Sequence, residues 1–209
     1  MGKILNGILG GVSGKVSGVV GANWKGINYL RGYAIPSNPQ TPAQTAQREK
    51  LAFLVAIGKG LLDSVLNPVW NSIAVQMSAF NVFLQKNLKL ITDNTDYASI
   101  LVGAGNLASV DYGEVLYTVA NGEVAFSYLG PTPDPFENNV DTLVMVAIHK
   151  PTNSVYSNEV TYTHDGASAI VMIPPNLVPA DIQGYIFAYK GVGADIEMCN
   201  STNDQAVPN

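Results

Sequence analysis

Asn121-Gly122-Glu123-Val124-Ala125-Phe126-Ser127-Tyr128-Leu129 decides how the second half of this chain is read. Val124, Phe126 and Tyr128 recur at every second position, the period of a strand with one face in a core. Asn121-Gly122 stands ahead of them, where a type I′ hairpin turn wants positive φ, so a partner strand is predicted over 112–120. The alternation returns at Tyr185, Phe187 and Tyr189, and the unbroken apolar run over 143–148 suits a central strand. Asp165-Gly166 offers a second hairpin turn. Strands are thus predicted near 99–103, 112–120, 123–129, 142–149, 155–163, 168–173 and 184–190, with an eighth over 194–199. Short strands with regular turn signals predict an immunoglobulin-like or fibronectin-like antiparallel β-sandwich over residues 97–200. Within it, Leu177-Val178-Pro179 ahead of Gly184-Tyr185 has the loose outline of a tyrosine corner. Residues 201–209 read as a polar tail.

Upstream, residues 41–96 read as a two-helix region. Thr41-Pro42-Ala43-Gln44 combines a cap, a first-turn proline and a capping-box glutamine. The first helix runs toward Leu66, with Leu51, Leu54, Val55 and Leu62 near one face and Gly58 and Gly60 weakening it. Asn67-Pro68 repeats the start signal, and Trp70, Ile73, Met77, Phe80, Leu84, Leu88 and Ile91 then step by three and four as one continuous amphipathic helix.

Residues 1–40 form a third region, an extended glycine-rich arm that holds nine of the chain's 20 glycines. Each glycine costs about 0.5–1 kcal/mol in a regular element, which argues against a free-standing helix. The residues between them are nevertheless apolar, among them Val16, Val19, Val20, Trp24, Ile27, Tyr29 and Leu30. Such a segment needs something to pack on, either its own body or a neighbouring subunit. Pro36-Ser37-Asn38-Pro39 ends it as a turn signal. The fold class expected is therefore α+β.

Composition narrows the functional classes. Of 209 residues, 47% are hydrophobic and only 13% charged, which excludes charge-driven disorder. Cys199 is the single cysteine, which excludes a disulfide scaffold. The charge is unevenly placed: residues 1–50 hold six cations and one acid, whereas residues 101–209 hold two cations and twelve acids. A basic head and an acidic tail can attract each other between copies, or the head can meet nucleic acid. Gly10, Gly14 and Gly18 have the GxxxG spacing of membrane helix packing, but the apolar run falls far short of the ~20 residues of a span. Neither a spanning segment nor a targeting segment is expected.

A search for chemistry leaves little. Gly14-Lys15 lacks both the first glycine and the Ser/Thr of a phosphate loop. Gly103-Ala104-Gly105-Asn106-Leu107-Ala108 fits a dinucleotide fingerprint, but the residues after it read as a strand rather than the helix the pyrophosphate needs. Cys199 with His149 or His164 has no local support as a catalytic pair. Asp134, Glu137 and Asp141 read as a solvated Pro-rich loop, with weak calcium binding or a glycosidase pair as the rival readings. No catalytic residue, cofactor or metal is expected.

Gly10-Gly11-Val12-Ser13-Gly14-Lys15-Val16, then Val19-Val20-Gly21, Trp24-Lys25-Gly26-Ile27, Tyr29 and Arg31, lead into Asn38-Pro39-Gln40-Thr41-Pro42-Ala43-Gln44 and Gln47-Arg48. This pattern resembles an uncharacterised family of Bacteroidota and their phages, from which Ser17 and Gln40 depart. The resemblance implies a phage or prophage setting and no enzyme activity. The expected function is a virion structural protein: a capsid decoration, a head–tail or tail ring, or a fibre base, made in the bacterial host cytoplasm. Lys15, Trp24, Lys25, Tyr29, Arg31 and Tyr33 are the candidate assembly residues, aromatic anchors beside cations for an acidic neighbour. The partners expected are other virion proteins or further copies of the chain. A carbohydrate- or surface-binding sandwich is the alternative, and nucleic-acid contact by the arm a third reading.

Overall fold

Two glycine dipeptides shape the N-terminal part of the chain. Ser17-Gly18 and Lys25-Gly26 each make a two-residue loop, leaving Val16 opposite Val19 and Trp24 opposite Ile27. Lys25 and Gly26 hold φ of 48° and 84°, the pair of positive values a type I′ turn demands. The computed structural model describes residues 3–4, 11–35, 37–38, 40–131, 134–136, 141–163 and 168–208, and the chain divides into two units, Met1–Thr41 and Pro42–Asn209. In the first unit, β1 (Lys3–Ile4), β2 (Val12–Val16), β3 (Val19–Trp24) and β4 (Ile27–Gly32) form an antiparallel sheet in chain order. The stretch expected as an extended arm is thus a pleated meander. Its glycines have specific roles inside the sheet: Gly14 holds φ 97° within β2, and a Cβ on Gly21 would run into the Val12 carbonyl oxygen.

The second unit opens with α1 (Pro42–Gly60), which runs into a π-turn over Leu62–Leu66, α2 (Asn67–Val69) and a 3₁₀ turn over Trp70–Ile73. Asn67-Pro68 does not restart a helix as the sequence suggests. Leu66 and Asn67 both stay helical, and the Asn67 N–H donates to the Leu62 carbonyl. The wider π-turn leaves room for the proline ring, which in an α-helix presses on the carbonyl four residues back. The second predicted helix is broken as well. Ala74 is extended, Gln76 holds φ 57°, and α3 (Ala79–Asn87) starts afresh with Ser78 Oγ accepting from the Asn81 N–H at 3.3 Å. A polar cap inside the apolar stripe wins here, and Met77 in the break is 43% exposed.

One sheet carries β7 (Thr142–His149), β8 (Ser154–Thr161), β10 (Ile182–Lys190), β11 (Glu197–Met198) and β12 (Thr202–Gln205), ordered β11-β10-β7-β8 with β12 also on β10. The other carries β5 (Asp111–Thr118), β6 (Glu123–Leu129), β9 (Ser168–Met172) and β13 (Val207–Pro208), ordered β13-β5-β6-β9. Only the β13–β5 pair is parallel among the described ladders of these sheets.

The unbroken apolar run of β7 has a physical reason: the five-stranded sheet is covered on both faces. Gly184 on β10 abuts Phe126 of the four-stranded sheet, while Tyr185 on the other face donates its hydroxyl to the Tyr97 carbonyl at 2.6 Å. Gly60 at the end of α1 packs on Val155 of β8, and Phe53 stands edge-on to Tyr97 at 4.9 Å. Helices, sheet and sheet therefore form three layers around one core that includes Leu54, Trp70, Phe83, Phe126 and Phe187. The fold is α+β.

Other expectations change in detail. Residues 99–103 are a loop whose backbone groups are claimed by side chains. Asn87 donates to and accepts from Leu101, Trp70 Nε1 donates to the Val102 carbonyl at 2.8 Å, and Ser201 Oγ accepts from the Val102 N–H. The hairpin at Asn121-Gly122 is a four-residue loop, closed by Gly122 N–H to Thr118 C=O at 2.9 Å, in which only Gly122 has positive φ (69°). Tyr185 makes no tyrosine corner, since its hydroxyl reaches Tyr97. The expected polar tail over 201–209 contains β12 and β13. Asp165-Gly166 lies outside the described residues.

Candidate assembly interface

Register decides which of the N-terminal residues meet. Lys15 lies opposite Val20 and Val20 opposite Arg31; Ala22 pairs with Tyr29 and Trp24 with Ile27. Opposed residues in an antiparallel ladder point to the same side, as do residues two apart along a strand. Lys15, Trp24, Tyr29 and Arg31 therefore share one face of the sheet with Val20, Ala22 and Ile27. Tyr33 extends this row: its N–H donates to the Gly18 carbonyl at 2.8 Å, and its ring lies 3.5 Å from Lys15 Nζ. Lys25 occupies the type I′ turn at the end of the face, its Nζ 5.1 Å from the Trp24 ring. Five of the six residues singled out in the sequence share this face, with Lys25 at its tip.

Among the described residues of its own unit, nothing buries this face. Trp24 and Ile27 are each 63% exposed, and Tyr29 and Tyr33 nearly half exposed. β4 is exposed along its whole length. Burying one large aromatic removes roughly 150–250 Å² from water, so this is a strong potential anchor surface. The cations are part of it. Lysines held over rings keep their charge beside apolar surface, at about 0.5–1 kcal/mol per exposed pair. No acid precedes Glu49 in the chain, so the charged side chains of this unit are all cationic. The sequence does not reveal which face each residue takes, because the two short loops set the register and residue type alone does not.

The chemical candidates lie elsewhere and are occupied structurally. Cys199 is fully buried, its sulfur accepts from the Ala188 N–H at 3.2 Å, and burial pushes its thiol pKa up, away from a reactive thiolate. His149 Nδ1 is 2.8 Å from Thr152 Oγ1, and His164 lies outside the described residues. Gly103 and Gly105 give close approach to Phe187 and to the Met198 carbonyl, and no helix follows them. Asp134 accepts from the Tyr162 hydroxyl at 2.8 Å and from the Phe136 N–H at 2.9 Å. Asp141 is buried, with its carbonyl taken by the Tyr162 N–H, and Glu137 is outside the described residues. Among the described residues no group of three or more His, Cys, Asp or Glu could hold a metal ion.

A groove of about 530 Å³ includes Thr95, Asp96, Tyr97, Lys150, Gln183 and Gln205 in its lining. Its ionic groups are tied down: Asp96 accepts from Thr92 and Ser99, and Lys150 Nζ donates to the Ala180 carbonyl at 3.1 Å. Among the described residues no single helix is long and apolar enough to cross a membrane. Only the pair Pro42–Gly60 and Leu62–Ile73, bent by 66°, reaches that apolarity, and its apolar side chains fill the core.

No curated protein and no solved structure matches the chain. A family profile does match, and it spans residues 11–202, the N-terminal sheet from β2 onward together with nearly all of the second unit. The chain belongs to that family, described as a family of unknown function (DUF6266).

Proposed function

We propose that the chain is a non-enzymatic virion structural protein of a bacteriophage, built to assemble through its N-terminal sheet. The observation that carries this reading is the face bearing Lys15, Trp24, Tyr29, Arg31 and Tyr33, aromatic, cationic and uncovered on a unit without a single acid. A sheet in this state is an interface awaiting a partner. The second unit is read as an immunoglobulin-like or fibronectin-like sandwich with a helical layer on one side. Taking β5, β6, β7, β8, β9, β10 and β12 as strands one to seven, the orders 1-2-5 and 4-3-6-7 support that reading. Such a body, carrying all sixteen acids of the chain, serves as the outward-facing or ring-docking part.

Mass spectrometry of purified particles tests the proposal. The chain is expected at the stoichiometry of a coat, ring or fibre-base component. Its absence from particles whose host lysate contains it in quantity overturns the reading.

A further inference from the structure

A second uncovered surface lies on the body. In the β5-β6-β9 sheet, Tyr117, Val124 and Val171 point into the core, so the opposite parity points outward. On that outer face Thr118, Glu123 and Met172 form one row, Val207, Leu116, Ala125 and Ile170 the next, and Glu114 and Ser127 a third. Leu129, paired with Asp111, completes it. Outward residues of a sandwich facing only water are polar, yet Leu129 is 57% exposed, Ile170 42%, Met172 61% and Val207 41%. Asp111, Glu114 and Glu123 are the charged side chains in these rows, and no cation stands among them.

We infer that this outer face seats the N-terminal sheet of a second copy of the chain. The inference deepens the proposed assembly role and rests on it. The two surfaces match in kind. Each is a sheet face with large exposed apolar side chains; one carries Lys15, Lys25 and Arg31 without an acid, the other Asp111, Glu114 and Glu123 without a cation. Apolar contact excludes water at the centre while opposite charges at the margin set orientation and discourage like-on-like pairing. The contact joins different patches on the two copies, so it is head-to-tail and propagates, closing into a ring or continuing as a filament according to its rotation.

Mixing two full-length variants tests this. Trp24→Asp spoils the N-terminal sheet face and Met172→Asp spoils the body face, both at exposed positions. Wild-type chain is expected to form multimers by analytical ultracentrifugation at tens of micromolar, roughly the range of a moderate protein contact. Each variant alone is expected to be monomeric, with association weakened roughly tenfold or more. An equimolar mixture is expected to give a 1:1 dimer that grows no further, because only one complementary pair of intact faces remains. Should either aspartate variant fail to fold, the reversals Lys15→Glu with Arg31→Glu and Glu114→Lys with Glu123→Lys replace them; each alone is expected to be monomeric, and mixing those two should restore growth beyond the dimer, because both cross-contacts again join opposite charges. A monomeric wild type, a mixture that stays monomeric, or undiminished assembly by either variant overturns the inference. Because particle composition is measured separately, a chain found in virions that fails these mixing tests removes this contact and leaves the structural role standing.

Discussion

Val124, Phe126 and Tyr128 in β6 and Val20, Ala22 and Trp24 in β3 follow the same period of two, yet the first three are buried and Trp24 stands in solvent. Both belong to four-stranded sheets. The difference is what lies against them. The β6 residues meet a second sheet backed by helices, whereas among the described residues of the first unit only Gly21 is buried. Alternation in a sequence therefore specifies a face that needs cover, without saying which molecule supplies it. A sheet of about forty residues or fewer rarely holds itself together on its own core, so the N-terminal unit depends on contact for its order in a way the body does not.

The sharpest way to break this comparison is to remove one side of it. Deleting residues 1–35 is expected to abolish assembly altogether while shifting the melting temperature of the remaining body by only a few degrees, because the core lies entirely beyond residue 52. Light scattering and calorimetry on the same sample check both halves, and assembly by the truncated chain would place the interface on the body alone.

The two tryptophans sharpen the contrast. Trp70→Ala empties a fully buried site and leaves the Val102 carbonyl without its donor, so a loss of about 3–5 kcal/mol in denaturant unfolding is expected. Trp24→Ala should change unfolding by less than about 0.5 kcal/mol, as exposed substitutions do, and instead weaken assembly. If the two substitutions cost the same in stability, the N-terminal sheet has internal cover after all.

Asn87→Leu addresses the joint between helices and sandwich. The buried amide donates to the Phe83 and Leu101 carbonyls and accepts from the Leu101 N–H at 2.7 Å. Replacing it leaves the loop over 100–102 with unpaired groups, and a loss of about 1–3 kcal/mol is expected. Hydrogen exchange should rise at Leu101 before it rises in β7.

The smallest expected effect is on the acid limb. At Asp96, burial works against the charge, but hydrogen bonds from Thr92 and Ser99 outweigh it and hold the carboxyl below its ordinary value of 3.8. A depressed folded pKa means that the unfolded chain binds the proton first as pH falls. The contribution is therefore complete above the ordinary carboxylate range and is lost as pH drops through the lower folded value. Asp96→Asn should flatten the stability profile in that acid window and leave the neutral pH dependence unchanged. An unaltered acid limb would show that these hydrogen bonds carry no net preference for the charge.

Much of the body was legible because its signal is burial. β6, β7 and β10 follow apolar residues closely, and the strands at 112–120, 155–163 and 168–173 are displaced by only a residue or two at their ends. β12 was invisible for the opposite reason. Its side chains work by hydrogen bonding, Thr202 to the Val110 carbonyl and Asn203 to Gln183 and to the Ala98 carbonyl, so no hydrophobic period marks it. The break at 74–78 was hidden because an apolar stripe at three-and-four spacing is the same whether one helix carries it or two short helices meet at an angle. In the N-terminal unit, Ser17-Gly18 and Lys25-Gly26 do mark two hairpins, but nine glycines within forty residues weigh against any regular element. The candidate interface residues could be chosen by type, aromatic beside cationic. Their common face, and the acidic apolar face on β5-β6-β9, required the register.

The parallel pairing of β13 with β5 has a consequence for the order of events during synthesis. The N-terminal sheet is made of neighbouring hairpins, which close within microseconds of leaving the ribosome. β5 gains its outer neighbour only when Val207 comes to lie beside Leu116. At about 5–20 residues per second, the roughly 175 residues in between take some ten to thirty seconds to add. Throughout that interval the N-terminal hairpins have emerged while the β5 edge still lacks its outer strand. If the N-terminal sheet seats on the β5-β6-β9 face of another copy as inferred above, a growing chain can be held by a completed copy before its own face is complete, which would give assembly a direction.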